Sequence, residues 1–287
     1  MPGNDFTNRI EVAKHIIESA KSKYNIPVRM LGSMSIALKC SGQIFLWEKL
    51  GRRFPVKEST KREIIDLDLL IFSRDERKFK ALMKELEYST NEASIVYETQ
   101  RNRLLYYALD FENEGVEEYF PVEVYFEKLE MHHNVKLQRE YFELDLYCIS
   151  LTDLFLTKLQ YDLQSESGNF RQDQINQFID MIVILSSFDV SHKTEKDSLS
   201  SKRISKTLSQ CSNVKFEITA KRNLKEFRNY VNQYVNFDDS LKTELLDKIK
   251  TIEESIKSFP KTPLFTLKEK VYSKRRKLGN EVYNQNN

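Results

Sequence analysis

The chain has 287 residues, of which 40% are hydrophobic, so it is long enough for one large or two modest domains with buried cores. Its 45 basic and 43 acidic residues leave a net charge of only +2, which argues against a protein whose whole surface binds nucleic acid. Three widely spaced cysteines without a CxxC motif argue against a disulfide framework, and no apolar run is long enough to span a membrane. The composition therefore predicts a soluble, cytoplasmic protein with no membrane partner.

The first predicted elements are a helix, a short strand and a second helix. Apolar residues recur at helical spacing over residues 4–24, until Pro27 ends the pattern because it lacks a backbone N–H. A strand is predicted at 28–31, followed by a turn at Gly32-Ser33. A single helix is then predicted over 34–50.

After a polar, basic loop predicted at 51–60, an apolar strand carries two aspartates. Side chains alternate faces along a strand, so Asp66 and Asp68 point the same way. Paired carboxylates repel each other and are costly to desolvate, and a divalent cation such as Mg²⁺ offsets that cost. Because aspartate is unfavourable in strands, the pair indicates a metal site for phosphoryl or nucleotidyl chemistry.

The remaining elements complete a mixed fold. An amphipathic helix is predicted over 74–88, and two strands are predicted at 103–110 and 121–126 with a turn between them. From about residue 150 the pattern becomes helical, apart from a polar stretch at 191–206 that is predicted to be a mobile link. The last three predicted helices lie near 219–235, 239–258 and 265–278. The order predicts an α/β (α+β) fold, with a small mixed β-sheet core in 1–145 and a helical domain in 146–287.

These motifs resemble the DNA-polymerase-β-like nucleotidyltransferase superfamily. The resemblance rests on Leu31-Gly32-Ser33 opening a helix, Asp66-Leu67-Asp68 on a strand, and a carboxylate on a later strand. More closely, the chain is similar to a prokaryotic branch related to the AbiEii-type toxin nucleotidyltransferases. The segments that carry this closer likeness are 122–126, 129–133, 151–160, 220–224 and 268–278.

The resemblance implies a site that transfers a nucleoside monophosphate from an NTP to a hydroxyl. Gly32 and Ser33 are then expected to hold the β- and γ-phosphates at a helix N-terminus. Asp66 and Asp68 are expected to bind two Mg²⁺ ions, with Glu123 as third ligand and general base. The acceptor is an RNA such as tRNA, a protein or a small molecule, and a cognate antitoxin is an implied partner.

Two basic residues are further candidates for nucleotide binding. Arg62 precedes the double-aspartate strand, and Lys158 matches a lysine position of the family. Simple solvation is the competing interpretation for both, and Asp180 is a candidate to orient either of them. The third carboxylate is also left open, because Asp110 at the end of the neighbouring strand rivals Glu123.

Three departures from the family pattern support a second interpretation. Ser33 and Asp66 are 33 positions apart, which is longer than usual, and Glu123 stands where relatives generally have aspartate. The helix around Asp180 also lacks the fuller basic-acidic pattern of many toxins. The alternatives are a catalytically inactive nucleotide- or RNA-binding protein on the same fold, and an interaction protein that works through its helical half.

Overall fold

The computed structural model describes residues 4–54, 56–57, 62–63, 66–88, 103–110, 118–126, 147–160, 163, 169–191, 198–210, 214–235, 238–272 and 274. The domain boundary predicted between residues 145 and 146 lies outside these ranges. So do residues 112–117 of the turn predicted at 112–118, and the family-like segment at 129–133.

Most of the described residues are helical. The helices are α1 (Asn4–Ser19), α2 (Gly32–Lys39), α3 (Phe45–Lys49), α4 (Glu76–Glu85), α5 (Leu151–Lys158), α6 (Gln172–Ser187), α7 (Ser201–Gln210), α8 (Val214–Tyr234), α9 (Asp239–Ser258) and α10 (263–272). A π-helical turn, Ala20–Tyr24, extends α1 and ends at Asn25, which adopts a left-handed conformation with φ 51°. Among the described residues, no helix is long and apolar enough to cross a membrane.

A mixed four-stranded sheet lies at the centre of the N-terminal half. Its strands are β1 (Arg29–Met30), β4 (Leu67–Ile71), β5 (Arg103–Asp110) and β6 (Glu118–Phe126), in the order β1-β4-β6-β5. The strands β4 and β6 are parallel, whereas β1 pairs antiparallel with β4 and β5 pairs antiparallel with β6. The predicted mixed sheet is therefore present, within a fold that contains both α and β structure.

The alternation predicted for the double-aspartate strand is confirmed. Leu67 and Leu69 in β4 are fully buried, as are Val122 and Val124 in β6, because they face the core together. Asp68, between the two leucines, is partly exposed on the other face. That face is covered farther along the strand, since Leu70 is also fully buried. The buried hydrophobic side chains form one cluster that extends from α1 to α9.

The single helix predicted over 34–50 is wrong. The chain instead forms α2, a 3₁₀ turn (Ser41–Gln43) and α3. The break begins at Cys40, whose φ of −108° and ψ of 26° are not helical. Ser41 and Gly42 have poor helix propensity, so the chain bends there at little cost. The bend turns α3 toward α6.

Two predicted polar loops also contain regular structure. The loop at 51–60 includes β2 (Val56–Lys57), which pairs antiparallel with β3 (Arg62–Glu63). The stretch at 191–206 includes the parallel pair β7 (Asp189–Ser191) and β8 (Ser198–Ser200), followed by the start of α7. Its polarity misled the prediction because serines of this stretch are buried: Ser205 is fully buried and its Oγ lies 2.8 Å from Oγ of Ser255.

Candidate functional site

Gly32 and Asp68 lie in contact at the point where β1 leads into α2. The backbone N–H of Leu31 donates to the carbonyl oxygen of Asp68 at 3.0 Å, which ties the turn to β4. Gly32 has φ +66°, and a Cβ at this position would lie 2.0 Å from Oδ2 of Asp68. Only glycine meets both requirements, because any other residue would be strained and would displace the carboxylate.

Asp68 and Glu123 occupy matched positions on neighbouring parallel strands. Their Cα atoms are register partners across the β4–β6 pair, and both side chains are partly exposed. Asp66 lies just before β4 begins, two residues from Asp68, and is partly exposed as well. The backbone therefore brings all three predicted carboxylate positions together near the start of β4, next to Gly32.

The three side chains do not converge into one metal-binding group. Within the described ranges, no three His, Cys, Asp or Glu side chains lie close enough together to hold an ion. The Tyr125 hydroxyl donates a hydrogen bond of 2.6 Å to Oε2 of Glu123. Carboxylate oxygens suit Mg²⁺, and the Asp68–Glu123 register places two such side chains on neighbouring strands. The residue types suit Mg²⁺. Their side chains, as placed, form no metal-binding group among the described residues.

The strand register separates Asp110 from Asp68 and Glu123. Leu105 is the β5 partner of Glu123, whereas Asp110 pairs with Glu118. Five residues along a strand correspond to about 17 Å. Glu123 is therefore the position that lies beside Asp68, whereas Asp110 lies farther along the sheet.

A buried cluster of charged side chains lies next to Ser33, at the N-terminus of α2. Arg52 donates from Nε to Oδ1 of Asp180 at 2.6 Å and from Nη2 to Oδ2 at 3.2 Å. Lys158 donates from Nζ to Oδ2 of the same carboxylate at 2.8 Å. The side chains of Arg52, Lys158 and Asp180 are 6%, 7% and 0% exposed. We call these three residues the Asp180 cluster.

The Asp180 cluster is connected to the predicted phosphate-binding turn. The Nη2 group of Arg52 also donates to Oγ of Ser33 at 2.7 Å. The guanidinium packs against two aromatic rings that meet edge to face, 4.4 Å from the Trp47 ring centroid and 4.0 Å from that of Phe54. The cation–π contacts and the ion pair together fix the orientation of Arg52.

The charged partners determine the protonation state of Asp180. Burial by itself would raise the pKa of this carboxyl group. The positive charges of Arg52 and Lys158, with the hydrogen bonds that both donate, outweigh burial and lower the pKa below its ordinary value. Asp180 is therefore ionised at neutral pH and holds both cations in place.

The structure excludes solvation as the interpretation of one predicted basic residue, whose nucleotide-binding role stays a prediction. Lys158 is buried and paired with Asp180, so it is not a solvated helix position, and the predicted role of Asp180 in orienting it is confirmed. The backbone of Arg62 lies in β3, but its side chain is outside the described residues. The arginine that Asp180 does orient is Arg52, which sequence reasoning missed.

Arg52 was missed because it falls in a stretch whose charge predicts a solvated loop. The only local signal is its position between Trp47 and Phe54, which offers two aromatic rings for a buried cation. Its carboxylate partner lies 128 positions away, so no local pattern reports the pairing. The segment is anchored by Asn176 of α6, which accepts from the Arg53 N–H at 3.0 Å and donates to the Arg53 carbonyl at 2.6 Å.

Comparison of the chain with models of protein families, with curated proteins and with solved structures found no match.

Proposed function

We propose that the protein is a metal-dependent nucleotidyltransferase, which moves a nucleoside monophosphate from an NTP to an acceptor hydroxyl and releases pyrophosphate. The observation that carries the proposal is the register of Asp68 with Glu123 beside a glycine that opens a helix. A turn that requires glycine, a helix N-terminus and carboxylates on adjacent parallel strands together suit a metal-bound triphosphate better than any one of these features does alone.

In this proposal the chain acts mainly by positioning charged groups. The N–H groups at the start of α2 attract phosphate oxygens, and Gly32 allows the backbone to approach them closely. Asp66, Asp68 and Glu123 are the candidate Mg²⁺ ligands, and Glu123 is the candidate to take the proton of the acceptor hydroxyl. Two bound Mg²⁺ ions would supply charge stabilisation for the attacking and leaving oxygens.

The acceptor and the partners are proposed from the sequence resemblance alone. An AbiEii-like, toxin-like role would place the hydroxyl on an RNA such as tRNA, or on a protein, and would add a cognate antitoxin as partner. A cytoplasmic location accords with three cysteines that are widely spaced and form no CxxC motif. The Asp180 cluster beside Ser33 is the proposed support for the phosphate-binding turn.

A second candidate is a nucleotide- or RNA-binding protein without catalytic activity on the same fold. The side-chain positions favour it, since among the described residues Asp66, Asp68 and Glu123 belong to no group that could hold a metal ion, and two-metal chemistry needs such a group. The hydrogen bond from Tyr125 to Glu123 favours it too, because it occupies one of the two oxygens that the base and ligand roles require.

Transfer of label from α-³²P-labelled NTPs in the presence of Mg²⁺ tests the proposal. Total tRNA, total protein of a host lysate and the protein itself serve as acceptors. We expect label to be incorporated by the wild type and lost in Asp68→Asn and Glu123→Gln. Asp189→Asn is the matched control, because its side chain is 95% exposed and lies in β7.

The same samples distinguish the two candidates. Equilibrium dialysis measures NTP binding with Mg²⁺ and with EDTA. Metal-dependent binding without transfer to any acceptor would favour the inactive binding protein. If neither binding nor transfer is detected with any of the four NTPs, both candidates are refuted.

A further inference from the structure

Within the part of the chain that the structure describes, one buried donor of Arg52 has no hydrogen-bond partner. The Nη1 group is inaccessible to solvent and, among the described residues, nothing accepts from it. Nε and Nη2, by contrast, are both bonded. Leaving a buried cationic donor unpaired is costly, so such a group points to an acceptor that the described residues do not supply.

The direction of the unpaired donor follows from the shape of the guanidinium. The group is planar, and its N–H bonds form two parallel pairs, one on the Nε–Nη2 edge and one on the Nη1–Nη2 edge. The Nε–Nη2 edge faces Asp180. The remaining hydrogen of Nη2 points to Ser33, so the parallel hydrogen of Nη1 points toward the same end of α2.

Other hydrogen-bond donors lie at the same end of α2. Oγ of Ser33 accepts from Arg52, which leaves the hydrogen of the Ser33 hydroxyl to be donated. Leu31, the N-cap residue of the eight-residue helix α2, has no side-chain acceptor for the first N–H groups. The Asp180 cluster contains two cations and one anion, so it carries one net positive charge in a buried place. An anion at this position would pair the donors and balance the charge.

We infer that Arg52 is an anion-binding residue, which donates from Nη1 to a phosphate oxygen held at the N-terminus of α2. Asp180 and the two aromatic rings hold the guanidinium in this orientation before the ligand arrives. The identification of the anion as the β- or γ-phosphate of an NTP rests on the proposed function. The anion site itself does not depend on metal binding or on catalysis.

Pyrophosphate binding in EDTA, measured by isothermal titration calorimetry, tests the inference apart from metal and turnover. Arg52→Lys keeps the positive charge beside Asp180 but removes the Nη1–Nη2 edge. We expect it to raise the Kd for pyrophosphate about tenfold or more. Arg53→Lys is the matched control, because Arg53 is exposed and is held through its backbone, and its Kd should equal that of the wild type.

Each result has a defined meaning. A Kd unchanged by Arg52→Lys overturns the role of Arg52, and absence of pyrophosphate binding by the wild type overturns the anion site, while labelled NTP transfer with Mg²⁺ can still succeed in either case. If Arg52→Lys does not fold, crystals of the wild type soaked with pyrophosphate decide the matter. A phosphate oxygen within hydrogen-bond distance of Nη1 supports the inference, and an anion found only elsewhere refutes it.

Discussion

Arg52 and Asp180, which are 128 positions apart in the sequence, form a two-point ion pair with distances of 2.6 Å and 3.2 Å. The pair joins the segment after α3 to the middle of α6, and Lys158 adds α5 to the same carboxylate. Three separate parts of the chain therefore converge on one ionised group beside the turn at Ser33.

Removing the charge of Asp180 should destabilise the protein strongly. Asp180→Asn leaves Arg52 and Lys158 buried without a counterion, and breaking a buried pair in this way costs about 3–5 kcal/mol. Urea unfolding followed by circular dichroism measures the loss. Asp189→Asn, at a side chain that is 95% exposed, should change the free energy of unfolding by no more than about 0.5 kcal/mol. Equal effects of the two substitutions would contradict a structural role for the pair.

The stability contributed by the ionised Asp180 should disappear in acid. The pKa of this carboxyl group is lowered in the folded state, so the unfolded chain takes up the proton first as the pH falls. The stability difference between wild type and Asp180→Asn is therefore fully present above the ordinary aspartate pKa of about 3.9 and shrinks as the pH falls through the lower, folded value. Unfolding free energies at several pH values between 7 and 3 measure it. A difference that widens in acid would refute the assignment.

Substitutions at three glycines separate backbone strain from steric conflict. Gly32→Ala should cost about 1–2 kcal/mol for the left-handed conformation, and more because its Cβ would meet Oδ2 of Asp68. Gly51→Ala shares the positive φ, at +74°, but has nothing within 4 Å of the new Cβ, so it should show only the strain.

Gly42→Ala should have neither effect, because its φ is not in the left-handed region and its Cβ would meet open space. Thermal unfolding ranks the three variants. If Gly32→Ala is no less stable than Gly51→Ala, the close approach of Gly32 to Asp68 is refuted.

Removing the Tyr125 hydroxyl should lower the Mg²⁺ concentration that NTP binding requires. Tyr125→Phe breaks a hydrogen bond of 2.6 Å that competes with any cation for Oε2 of Glu123. A net hydrogen bond of about 0.5–1.5 kcal/mol corresponds to a roughly 2- to 10-fold lower Mg²⁺ concentration at half-saturation of NTP binding. Tyr147→Phe is the matched control, since that hydroxyl donates at 2.6 Å to Glu18, in α1. A rise in the Mg²⁺ requirement of Tyr125→Phe would contradict the competition.

The thiol of Cys40 should resist alkylation while the protein is folded. Burial raises its pKa to about 11, although a hydrogen bond with Ser187 and the charge of Lys39 act in the opposite direction. At pH 8 only about one thiol in a thousand is then ionised, and the thiolate is the reactive form. Iodoacetamide labelling followed by peptide mass spectrometry measures this site separately from the other cysteines. Labelling in urea is the control, and rapid labelling of the native protein at Cys40 would refute the prediction.

Local sequence patterns were sufficient to predict the strand that contains Asp68 and the turn at Gly32. The alternation around Asp68 and the glycine before a helical pattern are encoded in consecutive residues, so both could be identified without tertiary information. The break between α2 and α3 was missed because the apolar spacing continues through Ser41 and Gly42, and the stretch at 191–206 was missed because buried serines look polar in a sequence.

The sequence by itself determined which residue types and which short elements were available: a Gly-Ser turn, an apolar strand with two aspartates, and a later strand with Glu123. Only the tertiary structure decided which of them meet. It paired Glu123, and not Asp110, with the strand of Asp68, and it brought Arg52 to Asp180 and Ser33. The physical reason is that strand register and buried ion pairs join residues far apart in the chain, and packing, not local propensity, determines which partners satisfy a buried charge.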